Sequence, residues 1–575
     1  MIKLKNYFQF ILIRKEKINI LLCFILTIII AIIETFGIGL IPTYIYSVLE
    51  PEKTIKIIEN FTTINFSSFF YSSAKDLNKI FSLIVIILFI FKNILLFSLT
   101  TILTFLYLSI REGVSYRVPK WLVKISYIDY LNYNSSEIIR NVTTETINTT
   151  NCLRDIILLI NELLLVIFVI IFLSYSLPGN LVGAIFSIIL FTLTLSYMNK
   201  SKMKKWGDRG VEQRNYIIKF TNHIFNSFKE LKIFGNEKFL LDNYKEILSQ
   251  NTTVIKKTNL VNILNKYLIE IAAIITILAS LSILLNDNNN LVNNLVQLSL
   301  FATALAKLVP SFYKINSQYL KIQSAHKSVE TIYNLKKKII INKKDFFKNI
   351  SIQDFEKSLE FKNVSFKYKN RNKILKNINF KISNNKITLI TGRSGSGKST
   401  LVDLICGIIK PDEGEIFLNN QNVYSKNNFI KLNTSYMPQK IYLLDDTIKN
   451  NIVFQSNKNI NKIYLRKIIK EVGLTNFIDT LPNNINEFIG ENAKKLSGGQ
   501  IKRIGLARSL YKNKKTLILD EPTSGLDEKS AQEIIKLLKT LSLEKNIFII
   551  SHDASFEGIS DNILECKNFT IYKKK

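Results

Sequence analysis

The first half of the chain alternates long apolar runs with polar stretches, and the second half changes to short ones. Apolar runs cover Ile18 to Leu49 and then about 80–110, 152–175, 181–198, 267–285 and 291–312. Each is near the roughly 20 residues that a helix needs to cross a bilayer, so the pattern predicts six transmembrane helices. The last run is the most interrupted by polar residues. The first, broken by Glu34, Gly37, Gly39 and Pro42, is far longer than a signal-peptide core and lacks a small-residue cleavage site, so it should stay as a helix. Residues 1–17 mix Lys3, Lys5, Arg14, Lys15 and Lys17 with Phe8, Phe10, Ile11 and Leu12, which suits a helix lying on the membrane surface. Past Pro310 the pattern stays helical to about Leu335, and Lys336–Asn349 reads as a basic, turn-rich linker. From Phe355 short strand-like runs alternate with helices: Leu359–Phe366, Ile387–Ile390, Ile416–Leu418, Thr516–Leu519 and Ile547–Ile550. The expected division is an α-helical membrane domain over 1–325, a linker over 326–350 and an α/β domain over 351–575.

Charge adds an orientation. The chain has 575 residues with 47% apolar content, yet carries 77 Lys and Arg and a net charge of +32. The cations concentrate in the long connections 111–151 and 199–266, whereas the short turns Ser174–Asn180 and Asn286–Asn290 hold no Lys or Arg. The long connections and the N-terminus should therefore face the cytoplasm, and 50–79 the outside. The even span count returns the α/β domain to the cytoplasm. Attraction to an anionic leaflet accounts for the basic excess better than nucleic acid does, so no nucleic-acid partner is expected. The cysteines Cys23, Cys152, Cys406 and Cys566 lie far apart without a CxxC, which suggests buried residues rather than a disulfide or metal framework.

The strongest chemical motif is Thr391-Gly392-Arg393-Ser394-Gly395-Ser396-Gly397-Lys398-Ser399-Thr400, between a strand run and a helix. Its glycines remove Cβ atoms where backbone N–H groups close around phosphate oxygens, Lys398 can reach the β- and γ-phosphates, and Ser399 can ligate Mg²⁺. ATP with Mg²⁺ is the expected ligand. Thr516–Leu519 ends in Asp520 and Glu521; Asp520 is suited to the Mg²⁺ shell and Glu521 to polarising the water that attacks the γ-phosphate.

Leu496-Ser497-Gly498-Gly499-Gln500 resembles the signature of the ATP-binding cassette (ABC) family. The resemblance implies that Tyr368 stacks on adenine and that Gln439 senses metal and water. It also implies that Ser524-Gly525-Leu526-Asp527 crosses a dimer seam and that His552 contacts the γ-phosphate. Gly490-Glu491 looks like the loop that touches the membrane domain. Gly525 stands where the family has Ala, and Asp553 where Arg is commoner. Ser394, Gly395, Gly397, Thr400, Ser497, Gly498, Gly499, Gln500 and Asp527 are carried over as ATP-binding positions. In this family the signature faces the phosphate of another cassette, so one of each per chain implies a homodimer with two composite sites.

The membrane half resembles six-span half-transporter exporters. Ile33–Leu40, Ser135–Ile139 and Lys307–Ser311 look like the lipid-linked oligosaccharide flippases of bacterial inner membranes. Lys92, Lys266, Lys307 and Lys314 are then expected to line a cavity and receive a pyrophosphate head group. An ionisable residue at membrane depth costs at least ~2.5 kcal/mol on insertion scales, so it faces a cavity or a partner. Glu34, Glu162 and Glu270 offer the other explanation, pairing with these lysines inside the bundle. An exporter of drugs, peptides or other lipids is the alternative; a soluble cassette ATPase has no spans, and cassette importers usually place the two halves on separate chains.

Overall fold

The computed structural model describes residues 2–50, 74–286, 291–345, 349–368, 374–424, 428–455, 460–490, 493 and 495–574. They fall into two compact units, 1–125 with 132–340 and 126–131 with 341–575.

The first unit is helical. Its elements are α1 (Ile2–Ile11), α2 (Arg14–Leu49), α3 (Ala74–Leu122), α5 (Ser135–Arg140), α6 (Thr146–Ser176), α7 (Gly179–Asn226), α8 (Phe228–Phe234), α9 (Glu237–Asn286) and α10 (Leu291–Asp345), with a π-helical turn at Asn141–Glu145. Six of these helices are long and apolar enough to cross a membrane. No residue of the most apolar window of α3 is buried, and Phe91, Phe97 and Phe105 are exposed, a surface that water would not tolerate on this scale. α2 packs on α3 and α6, and α7 on α9. One core gathers Leu165, Val169, Leu173, Ile185, Phe301 and Leu308, and a second gathers Phe8, Ile11, Ile110, Val114, Ile157 and Ile322. α2 begins where Glu16 accepts the Ile13 N–H at 3.0 Å, and the same carboxylate takes Arg117 of α3 at 2.7 Å.

Two connections differ from expectation. The long stretch 199–266 is chiefly the polar continuation of α7 and α9, joined through α8. At 50 residues α9 is about 75 Å long, against a hydrocarbon core of about 30 Å, so more than half of it must stand outside the bilayer. The expected linker is helical as far as Asp345, because Lys336 to Asp345 contains neither Gly nor Pro and nothing in it breaks α10. Residues 51–73 and 287–290, which hold most of the expected outer segment and the last short turn, lie outside the described residues.

The second unit is α/β. A six-stranded sheet runs β12-β11-β4-β10-β9-β8, formed by Thr570–Lys573, Asn562–Lys567, Ile387–Gly392, Asn546–Ile550, Thr516–Asp520 and Thr434–Met437. All neighbours are parallel except β12 on β11. A four-stranded antiparallel sheet is ordered β3-β2-β5-β6 (Leu375–Ser383, Ser358–Phe366, Glu413–Leu418, Gln421–Asn422), and β1 (Asn349–Gln353) pairs with β7 (Asn428–Leu432). The central strands are buried on both faces, which is why Ile387–Ile390 and Ile547–Ile550 are unbroken apolar runs. The helix α4 (Tyr127–Tyr130) belongs to this unit although its neighbours in sequence do not. Ser126 caps it, accepting the Asp129 N–H, and Ile128 packs on the core that contains Phe355, Leu401 and Leu404. Among the described residues the remaining α-helices are α11 (Lys398–Ile405), α12 (Ile448–Val453), α13 (Lys462–Glu471), α14 (Thr475–Asp479), α15 (Gly498–Tyr511) and α16 (Glu528–Leu541). All four cysteines are buried.

Candidate functional site

β4 delivers the chain into the glycine-rich loop, and α11 takes it out. Gly392 has φ 139°, and a Cβ there would run into the Cys566 carbonyl; Gly397 has φ 100° and lies against Leu375. Lys398 donates to the carbonyls of Gly392 at 2.5 Å and Arg393 at 3.0 Å, and its Nζ stands 3.3 Å from Nε2 of His552. The Ser396 hydroxyl is buried without a hydrogen-bond partner among the described residues. An orphaned hydroxyl and a lysine resting on its own loop are what an anion-binding cradle should present. Ser394, Gly395 and Ser399 are exposed along the loop, and Thr400 is buried in the first turn of α11.

Parallel pairing of β9 with β10 sets Asp520 opposite Ile550, so Asp520 and Glu521 leave the sheet at the end where His552 follows β10. Burial and then the Glu521 charge raise the Asp520 carboxyl above its usual value, while Lys502 and Lys398 pull it back. Glu521 holds φ 50°, and its N–H donates to Ile550 at 2.9 Å. Lys502 of α15 donates to the Glu521 carbonyl at 2.7 Å and the Ser524 hydroxyl at 3.0 Å, tying the signature helix to the turn after β9. Gln439 is exposed just past β8. Asp553 accepts Thr523 Oγ1 at 3.2 Å and the Ser555 N–H at 2.9 Å; these bonds, Ser555 first, hold its carboxyl below the ordinary value. The position after His552 thus serves as a strap between the ends of β9 and β10.

At the signature, the Ser497 hydroxyl accepts the Gln500 N–H while Gln500 Oε1 accepts the Ser497 N–H at 2.8 Å, a reciprocal cap on α15. A Cβ at Gly498 would meet only open space, whereas Gly499 lies against Leu526. Asp527 caps α16 through the Ser530 N–H at 2.8 Å, which holds its carboxyl low. Tyr368 is half-buried, edge-on to Phe366 at 5.0 Å. Glu491 lies outside the described residues.

One positioning pair carries no signal in the sequence. Arg508 donates to the Asn451 carbonyl at 2.7 Å, to its Oδ1 at 3.1 Å and to the Tyr442 carbonyl at 2.9 Å. Asn451, fully buried, also accepts the Leu444 N–H and donates to the Leu444 and Thr447 carbonyls, so the two residues hold the segment that follows Gln439.

In the first unit the lysines meet acids. Lys307 pairs with Glu34 at 3.0 Å, Lys314 with Glu162 at 2.9 Å, and Lys266 with Glu270 at 3.8 Å. Lys92 crosses α2 at Gly37 and lies 4.3 Å from the Phe89 ring centre; it makes no ion pair among the described residues. One carboxylate oxygen of buried Glu162 has no hydrogen-bond partner among the described residues.

Residues 375–524 match the ABC transporter family. The chain is 27% identical over 417 residues, 69% of its length and 68% of the relative's, to the ATP-dependent lipid A-core flippase of Wigglesworthia glossinidia brevipalpis. It is 35% identical over 190 residues, 33% of each chain, to the flippase of the same name from Pasteurella multocida. A Rickettsia typhi protein named for export ATP-binding and permease is 40% identical over 181 residues; the match spans about a third of that relative's length. Among solved structures, a bacterial Atm1-family ABC exporter with ATP bound superposes with a TM-score of 0.79 at 17% identity, over 98% of this chain and 95% of that one. Residues 375–524 are an ABC transporter domain, and the chain has the fold of an ABC exporter.

Proposed function

We propose that the chain is one half of a homodimeric, ATP-driven flippase for a lipid with a phosphate-bearing saccharide head group. The observation that carries the ATPase reading is the meeting of Lys398, His552, Asp520 and Glu521 at the ends of adjacent strands. Lys398 exchanges the Gly392 and Arg393 carbonyls for phosphate oxygens, and the Ser396 hydroxyl gains the acceptor it lacks. Ser399, Asp520 and Gln439 are the residues that would hold Mg²⁺; bound there, the ion neutralises charge on the phosphates. Glu521 orients water, and His552 takes position by the terminal phosphate. Gly498 and Gly499 open α15 with unpaired N–H groups suited to an anion on a second cassette, which supports two chains per working unit. The proposed sides are cytoplasmic for the cassette and N-terminus, in a bacterial inner membrane.

The substrate reading rests on charge. Lys92, Lys266, Lys307 and Lys314 outnumber Glu34, Glu162 and Glu270 by one, and Lys92 is the lysine left over. An anionic head group would compete with the carboxylates for these cations. The pyrophosphate of a lipid-linked oligosaccharide and the phosphorylated sugars of lipid A both meet that requirement, and the relatives' names favour the second. Liposomes holding the protein with either lipid test the proposal. Wild type should flip one of them on ATP addition, and Glu521→Gln should bind ATP without flipping. Flipping by Glu521→Gln at the wild-type rate would refute it.

A further inference from the structure

Beneath α1 the first unit holds a cavity of about 480 Å³, within the roughly 300–1,000 Å³ of ligand pockets. Four helices wall it, with Phe8 of α1, Phe24 of α2, Leu153 and Ile156 of α6, and Ile322 of α10, and Leu12 just past α1 joins them. Phe8, Leu12, Leu153 and Ile322 belong to one buried core, and Ile156 packs against it. The polar lining is three exposed side chains: Lys5 and Gln9, one turn apart on α1, and Lys17 in the first turn of α2. Among the described residues neither lysine makes an ion pair. Glu16, next to Lys17, is committed to Arg117.

Water has few polar partners in such a slot, and an empty one forfeits dispersion contacts along its walls. A free phosphate would leave the apolar walls unused, and a neutral hydrocarbon would leave the two cations unused. The geometry points to an anionic phospholipid of the surrounding bilayer as the resident ligand, with one acyl chain in the slot and its phosphate held by Lys5 and Lys17. Phe24 both lines the cavity and reaches the surface, beside exposed Leu21 and Ile25, so an acyl chain can enter without crossing water. That entry route depends on α2 being a membrane span and is independent of what the protein transports. The lipid would fasten α1 to α2, α6 and α10, making the surface helix responsive to bilayer charge.

The test uses full-length protein in detergent, with phosphatidylglycerol or phosphatidylcholine of identical chains, read by thermal unfolding and by lipid adducts in native mass spectrometry. Phosphatidylglycerol should raise the wild-type midpoint by several degrees and persist as an adduct, and phosphatidylcholine should give less than half the shift. K5Q/K17Q should abolish the difference between the lipids, and Ile156→Trp, which fills the slot, should abolish both responses. Equal wild-type responses, or undiminished phosphatidylglycerol adducts on Ile156→Trp, would overturn the assignment. A phosphatidylglycerol photoreactive at the acyl terminus checks the site in unmutated protein: labelling of 4–24 and 153–160 supports it, and labelling confined to other helices overturns it.

Discussion

The carboxylate of Glu145, fully buried, accepts both the Nε–H and an Nη–H of Arg214 at 3.0 and 3.1 Å. Glu145 ends the π-helical turn that precedes α6, and Arg214 belongs to the polar continuation of α7. Arg140 adds a second cation at 3.9 Å. Glu145→Gln takes the counter-charge from Arg214 and leaves Arg140 with Glu137 alone, at 3.9 Å, and should cost about 3 kcal/mol. The measurable outcome is a lowered thermal midpoint in detergent; an unchanged midpoint would show that the pair contributes nothing.

Arg508 and Asn451 should matter to turnover without touching nucleotide. Arg508→Ala leaves buried groups of Asn451 short of a donor and should cost about 2 kcal/mol. Because the freed segment follows Gln439, ATPase rate should fall severalfold while ATP binding, followed by fluorescence titration, changes little.

The membrane lysines are separable by charge exchange. Lys314→Gln leaves Glu162 buried without its cation, so a defect in that variant alone is ambiguous. In Lys314→Glu with Glu162→Lys the pair is kept and its direction reversed. If Lys314 receives an anionic substrate, substrate-stimulated ATPase stays lost in the exchanged protein while basal ATPase remains. Restored stimulation would assign the lysine to bundle pairing.

Asp403 on α11 makes stability depend on pH. Burial pushes its carboxyl up to about 6, against about 4 in an unfolded chain. The folded state therefore binds more protons between those values, and stability falls as pH rises through that window and stays lowered above it. Asp403→Asn should raise the unfolding midpoint at pH 7.5 and barely change it at pH 4.5.

What the sequence discloses here is local. The phosphate loop, the strand ending in Asp520 and the signature each lie within about ten consecutive residues, so spacing alone carries them. The pairing of Lys307 with Glu34 joins positions 273 residues apart, and only the fold decides which acid each lysine meets. Helix lengths were hidden for another reason: hydropathy marks where a helix meets lipid, and α7 and α9 continue as polar helices beyond it. Nothing in the residues 126–131 themselves tells that α4 joins the cassette core, because that contact is made with strands and helices more than 200 residues further on.

That six-residue excursion has a practical corollary. Because 126–131 completes the hydrophobic interior of a unit that otherwise starts at 341, a fragment cut at 341 would leave the seat of Ile128 bare. Such a fragment should be sticky and poorly soluble, and a peptide spanning 124–133 supplied in trans should bind it.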